Sequence, residues 1–346
     1  MSDVIAVVLF FGVTAYAVFG GADFGAGFWD LLAGGADRGE RPRAIAAHSI
    51  GPVWEANHVW LIFCLVVLWT GFPEAYASIG LTLFVPLSLA ALGIVLRGST
   101  FAFRKEVTRT SSSRNFGAAF AISSLIVPFC LGAVAGAIAS GRVPAGGKAG
   151  DPWDSWINPT SILGGVLAVA VCAYLASVYL FFDARRFDDD DMVEYFRRRA
   201  VIAAVVTGAI AVAGVFVLHA DARYIFDGLA SRALPLVIIS AICGIGSLVL
   251  LLRNSQRFAR FLAIGAVASI VIGWGVAQWP YIFPTTLKVS QAAAPDPTLV
   301  TIFVVFIVAA IVILPSLGLL YVLDQKSLLE PAPAPDPATP APSPSP

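Results

Sequence analysis

Charged residues are scarce in this chain, at 13% of its 346 residues, whereas a soluble domain carries about 25%. Hydrophobic residues reach 58%. This composition excludes a soluble fold and predicts an all-α protein that crosses a membrane several times. The 22 basic and 22 acidic residues cancel, so no nucleic-acid partner is expected.

Side chains that ligate metals are almost as rare. The four cysteines lie far apart inside apolar runs: Cys64, Cys130, Cys172 and Cys243. No pair has the spacing of a zinc or redox site, so packing roles are predicted. Of the three histidines, His48 and His58 share one predicted helix and cannot hold an iron from opposite faces, while His219 is predicted near the other membrane surface. Ligation of a haem by two histidines is therefore disfavoured, and a five-coordinate haem on His58 alone stays open.

Nine stretches are apolar over about 20 residues, the length that a membrane helix needs. They cover roughly residues 4–34, 47–70, 75–97, 116–140, 159–182, 200–219, 233–252, 258–280 and 299–323. Residues 1–325 are therefore predicted to form a single transmembrane domain. Residues 326–346, rich in Pro and Ala, are predicted to be a disordered cytoplasmic tail.

The distribution of Lys and Arg predicts the orientation. Most of them lie in alternate loops, their flanks and the C-terminal tail, the loops being residues 35–46, 98–115, 183–199 and 253–257. The remaining loops hold only Arg142, Lys148, Arg223, Arg232 and Lys288. Because basic residues favour the cytoplasmic side, the N-terminus is predicted outside and the C-terminus inside. Asp221 then falls at the outer edge, where contact with water is expected.

One predicted membrane helix carries ionisable residues where hydrocarbon is expected. On an ideal helix, His48, Glu55 and His58 share one face. Pro52 lies between them and cannot donate a helical hydrogen bond, so the helix should bend and admit water beside this polar row. An ionisable residue at membrane depth costs about 2.5–3.5 kcal/mol and usually has a function there.

A second acid is predicted at a similar depth. Asp23 lies about eleven residues from the inner end of the first helix, and Glu55 about eight residues, or about 12 Å, from the inner end of the second. Two acids and a histidine in the inner half of the membrane indicate a proton path. A static hydrogen-bonded pair and a cation site stay open as alternatives. Arg97 ends the third helix, either as a cytoplasmic anchor or as the neutralising partner of an acid.

Aromatic residues near the predicted outer surface are typical of interfacial anchoring. The segment from Trp274 to Pro284 also contains Gln278, whose amide could contact a quinone or a lipid headgroup. The sequence contains neither a phosphate-binding loop nor a hydrolase nucleophile motif. The inventory therefore favours a membrane protein that moves protons or packs against a partner.

Two motifs carry a resemblance to a known family. Gly-Gly-Ala-Asp-Phe-Gly-Ala-Gly at residues 20–27 and Ile-Gly-Pro-Val-Trp-Glu-Ala-Asn-His-Val-Trp-Leu-Ile at residues 50–62 closely resemble subunit II of the cytochrome bd-type quinol oxidases, in its cyanide-insensitive branch. The resemblance extends over the chain except its Pro-rich tail. It implies nine helices, arranged as two four-helix bundles plus one peripheral helix, in the bacterial plasma membrane.

The resemblance also implies partners and cofactors. The partner would be a haem-bearing subunit I, with b-type and d-type haems or with b-type haems only, and the two subunits would form a heterodimer. A small third subunit and a structural quinone or lipid are further components that the resemblance leaves open. The complex would oxidise quinol and reduce O2 to water, and subunit II would bind no haem. Carried over residue by residue, Glu55, Asp23 and Arg97 match positions of a proposed proton route, and Trp60 matches a tryptophan on an oxygen route between the subunits.

Two other functions compete with this one. A proton-coupled secondary transporter should show repeats and paired broken helices around a midplane site, but the interruption at residues 51–52 has no clear counterpart later in the chain. A purely structural scaffold would use Glu55 only to tie helices together.

Overall fold

The computed structural model describes residues 1–50, 54–104, 110–186, 189–255 and 258–325. The first helices are α1 (Ser2–Leu31), α2 (Ala36–Ile50), α3 (Trp54–Gly71), α4 (Pro73–Thr82), α5 (Phe84–Arg104), α6 (Thr110–Ala139) and α7 (Pro159–Arg186). The later elements are α8 (Asp190–Asp221), α9 (Arg223–Ala230), α10 (Leu234–Leu252), α11 (Ala259–Gln278), β1 (Tyr281–Phe283), β2 (Leu287–Lys288), α12 (Val289–Ala292) and α13 (Asp296–Gln325). The all-α prediction is confirmed, and the predicted tail at residues 326–346 lies outside the described residues.

The described residues contain seven helices that are long and apolar enough to cross a membrane, or eight if one bent pair is a single span. Each of the nine predicted segments contains helix. The exact number of spans, their grouping into two bundles and the orientation stay predictions. The chain divides into two compact units, residues 1–304 and residues 305–346, and the packing described below belongs to the first.

Two helix breaks lie near the start of the predicted span at residues 75–97, one just before it and one within it. The axis bends by 117° between α3 and α4, where Phe72 has φ −137° and ψ 62°, because a residue before proline avoids the helical region. A second interruption falls at Leu83. Pro86 explains it, since proline donates no hydrogen bond and its ring clashes with the carbonyl four residues earlier.

Two connections are more regular than the sequence predicted. Residues 36–50 form α2, although residues 35–46 were expected to be a loop, because their charged residues argue against a span but not against a helix. Strands β1 and β2 pair antiparallel. Thr285 in their turn has φ +62°, and a short hairpin of this kind gives no periodic signal in the sequence.

Helix α1 lies at the centre of the first unit, packed against α3, α6, α7 and α11. Two apolar cores flank it. One is built around Leu175, Phe181 and Phe196, and the other around Phe72 and Phe283. The surface is also apolar, with Phe216 on α8 exposed by 73% and Ile242 on α10 by 64%. Such a surface is stable only against lipid or protein.

Asp221 at the end of α8 is more enclosed than the sequence predicted. Its carboxylate accepts two hydrogen bonds from Arg142, at 3.0 and 2.6 Å, and one from the Thr160 hydroxyl at 2.6 Å. Its side chain is 17% exposed. The expectation of simple contact with water was wrong, because residues from the loop after α6 and the start of α7 close over it.

Candidate functional site

A buried ion pair joins α1 to α5. Arg97 is 1% exposed and Asp23 4%. Nη2 of Arg97 donates to Oδ1 of Asp23 at 2.5 Å and to its backbone carbonyl at 2.9 Å, and Nη1 donates to the Ser124 hydroxyl. Of the two roles open for Arg97, the structure therefore shows the neutralising partner of an acid. Both charges lie among apolar helices, where an unpaired charge is strongly destabilising.

Two aromatic rings and one glycine surround the Arg97 side chain. The guanidinium lies 4.9 Å from the ring centre of Phe24 and 4.2 Å from that of Phe120, which favours a cation in a dry site. A Cβ on Gly27 would fall 2.1 Å from the Ser124 hydroxyl oxygen and 3.0 Å from Nη1 of Arg97. Glycine at this position therefore lets α6 supply its hydroxyl to the arginine.

One carboxylate oxygen of Asp23 takes no part in the hydrogen bonds around Arg97. Among the described residues its Oδ2 has no hydrogen-bond partner, and neither has the buried hydroxyl of Tyr16. The ring of Tyr16 packs edge-on against Phe24, the neighbour of Asp23 in the chain. A carboxylate oxygen without a donor is the atom that can take up a proton or bind a water.

Tyr16 and Ser124 were not singled out from the sequence. Tyr16 precedes Asp23 by two helical turns, and Ser124 is a polar residue inside the apolar α6. Spacing along α1 could have suggested Tyr16. Nothing in the sequence could have placed α6 beside α1, because that packing joins residues about 100 positions apart.

The histidine of the second motif lies next to Phe24, which follows Asp23 in the chain. The His58 ring packs edge-on against Phe24 with a centroid separation of 6.3 Å. The side chain of Glu55, in the first turn of α3, lies outside the described part of the structure, as do the His48 side chain and all of Pro52. Their alignment on one face of a helix stays a prediction.

Trp60 lies in an aromatic cluster between α1 and α3. Its ring contacts Phe11 at a centroid separation of 5.7 Å, Phe19 at 6.5 Å and Phe63 at 6.3 Å. Phe11 and Phe19 are both partly exposed on the outside of the bundle. Trp60 therefore joins the interior of the bundle to its surface through aromatic rings, stacked on Phe19 and edge-on to Phe11 and Phe63.

The described residues form no cluster of three or more histidine, cysteine or acidic side chains that could hold a metal ion. His219 lies at the far end of α8, where its Nε2 is 2.5 Å from Nη1 of Arg223 and its ring packs on Phe226. A cationic neighbour disfavours iron ligation.

Gln278 does not face lipid. Its Oε1 accepts from the Trp274 indole at 2.8 Å, and its Nε2 donates to the Ile282 carbonyl at 2.5 Å. These contacts use both polar atoms inside the chain. They remove the reason to place a quinone or lipid headgroup there.

The chain is similar to known proteins along nearly its whole length. A family model described as cytochrome bd terminal oxidase subunit II matches residues 1–324. The cytochrome bd ubiquinol oxidase subunit 2 of Bacillus subtilis is 25% identical over 296 residues, covering 85% of this chain and 83% of the relative. A second B. subtilis protein, a putative cytochrome bd menaquinol oxidase subunit II, is 24% identical over 326 residues, covering 90% and 92%.

A solved structure shares the fold. It is that of the bd oxidase from Geobacillus thermodenitrificans, which matches with a TM-score of 0.71 at 22% identity, over 95% of this chain and 99% of the matched chain. At this identity the likeness concerns the arrangement of helices.

Proposed function

The chain belongs to the cytochrome bd terminal oxidase subunit II family, and from this premise we propose that it is the haem-free subunit that completes the oxidase and carries part of its cytoplasmic proton path. As a family member it is a multi-pass protein of the bacterial plasma membrane and one subunit of a quinol:oxygen oxidoreductase. Its partner is subunit I, and the haems and the quinol site belong to that partner in this proposal.

The Asp23–Arg97 pair is the observation that carries the proton path. Asp23 is buried in an apolar bundle and forms an ion pair with Arg97, while its second carboxylate oxygen has no hydrogen-bond partner in the described part of the chain. The His58 ring packs against Phe24, which is next to Asp23 in the chain. Together with Glu55 and His48, these residues would take protons from the cytoplasmic side and pass them towards the oxygen-reducing centre of subunit I.

Trp60 and the exposed face of α3 suit a role beside the partner. Val59, Ile62, Val66 and Trp69 form an exposed apolar stripe along α3, with the helical spacing of a packing surface. We place the contact with subunit I on this stripe. The aromatic cluster around Trp60 would then offer O2, an apolar molecule, a route between the subunits.

The haem-free assignment predicts a simple spectrum. Purified alone, the chain is expected to show no Soret absorption, because the haems belong to subunit I in this proposal. The measurement is an absorption spectrum with a pyridine haemochrome assay on chain expressed with and without subunit I. A stoichiometric haem band in the isolated chain would contradict the assignment.

The proton path predicts a specific defect in turnover. Glu55→Gln is expected to slow O2 uptake with added quinol several-fold, because an amide cannot carry a proton, while the complex still assembles. Glu74→Gln is the matched control. Glu74 lies in the first turn of α4, outside the proposed path, and accepts a hydrogen bond from the Gly146 backbone N–H at 2.7 Å, which the amide oxygen of glutamine can also accept. Unchanged turnover in the Glu55 variant would leave only the scaffold role, and solute uptake without an oxidase partner would favour a transporter.

A further inference from the structure

A long groove runs along the side of the first unit between α6, α7 and α8. We call it the α6–α8 groove, with a volume of about 990 Å³ and walls that include Ile126, Val166, Ala173, Ile202 and Val206. Ile126, Val166, Ile202 and Val206 are substantially exposed, so the groove is open on the side that faces the membrane. The Asp23–Arg97 site and the exposed stripe of α3 do not contribute to its walls.

The groove has the length of one lipid leaflet. Its lining residues on α8 run from Arg198 to Ile210, which corresponds to about 18 Å of helix. Half the hydrocarbon core of a bilayer is about 15 Å. A hydrocarbon chain that enters at the arginine end could therefore lie along the groove to the middle of the membrane.

One end of the groove is positively charged. Arg197 and Arg198 both bind Glu194, with closest contacts of 2.7 Å, so the charge of this carboxylate is already used. Arg199 has no carboxylate partner among the described residues, and its buried Nε has no hydrogen-bond acceptor. Its Nη1 donates a hydrogen bond to the Tyr195 carbonyl at 3.2 Å.

The aromatic neighbours of Arg199 hold it at this end. Its guanidinium lies 3.2 Å from the ring centre of Tyr195 and 5.8 Å from that of Trp29. The hydroxyl of Thr207, further along the groove, donates to the Ala170 carbonyl at 3.1 Å. The groove is therefore an apolar channel with one fixed positive charge at its end, the Arg199 guanidinium, which has no carboxylate partner in the described part of the chain.

We propose that the α6–α8 groove binds one anionic phospholipid, with its phosphate against Arg199 and an acyl chain along α7 and α8. A neutral quinone ring would leave the arginine uncompensated, and in a zwitterionic lipid the phosphate charge is already balanced. Basic pockets between membrane helices bind anionic headgroups on this principle. The inference is independent of the proton path.

The test measures lipid retention by the complex of this chain with subunit I. Delipidated complex is titrated with phosphatidylglycerol or phosphatidylcholine, and bound lipid is counted by native mass spectrometry. Wild type should bind one phosphatidylglycerol more tightly than phosphatidylcholine. Arg199→Gln should weaken phosphatidylglycerol binding about fivefold, the effect of one basic residue on an anionic lipid.

Two further variants separate charge from shape. Arg185→Gln removes a positive charge in the last turn of α7, where Arg185 lies outside the groove and donates a hydrogen bond to Asn254 at 2.7 Å. This variant should bind lipid as wild type does. Val206→Trp fills the groove from an exposed position without changing charge, and it should weaken binding of both lipids. Recovery of the complex with subunit I checks folding in each case.

Several outcomes would overturn the proposal. Equal binding of the two lipids, or wild-type binding by the Arg199 variant, would show that the arginine recognises no headgroup. Displacement by millimolar inorganic phosphate would indicate a site for free phosphate. A stoichiometric quinone extracted from wild type and absent from the Val206 variant would identify a quinone as the occupant.

Discussion

Replacing Arg97 by Leu is expected to leave little assembled complex, because Asp23 would remain as a buried charge without its cation. Breaking a buried pair in this way costs about 3–5 kcal/mol. The substitution also removes the contacts of the guanidinium with the Phe24 and Phe120 rings. The measurements are the yield of chain that co-purifies with subunit I and the midpoint of its thermal unfolding.

The double variant Asp23→Leu/Arg97→Leu tells a structural role from a functional one. Replacing both members of a buried pair by apolar residues is often neutral for stability, so assembly should recover. If Asp23 carries protons, O2 uptake should stay slow in the assembled double variant. Recovery of both assembly and turnover would establish the static pair, and wild-type assembly of the Arg97 single variant would refute the structural role of the pair.

Gly25→Ala is expected to abolish assembly through packing alone. A Cβ at Gly25 would lie 1.8 Å from the backbone carbonyl oxygen of Cys172 and 2.7 Å from the Cβ of Ala176. Backbone atoms of α7 cannot move aside as a flexible side chain can, so α1 and α7 would have to separate. Small residues allow such close approach of membrane helices.

Gly98→Ala is the matched control, one residue after Arg97 on α5. Among the described residues, no atom beyond its chain neighbours and the backbone of its own helix lies within 4 Å of the added Cβ, and alanine favours a helix over glycine by about 1 kcal/mol. This variant should assemble as wild type does and unfold at the same or a higher temperature. Normal assembly of the Gly25 variant would show that α1 and α7 are not packed as described.

The predicted proton path draws its residues from helices α1, α2, α3 and α5. His58 packs against Phe24, the residue that follows Asp23. Glu55 and His48 stay predictions, since their side chains are outside the described part of the chain. Their alignment depends on the geometry around Pro52, and a proline lets a helix bend in more than one way.

The sequence by itself determined that this is an all-α protein that crosses a membrane several times, because hydrocarbon demands long apolar helices with internally satisfied backbones. It also determined the family, through motifs around Asp23 and Glu55. Only the tertiary structure decided which charge Arg97 neutralises, that Asp221 binds Arg142, and that Arg199 has no carboxylate partner among the described residues. Such pairings depend on the rotation and register of helices far apart in the chain, and hydrophobicity along a single helix does not specify these.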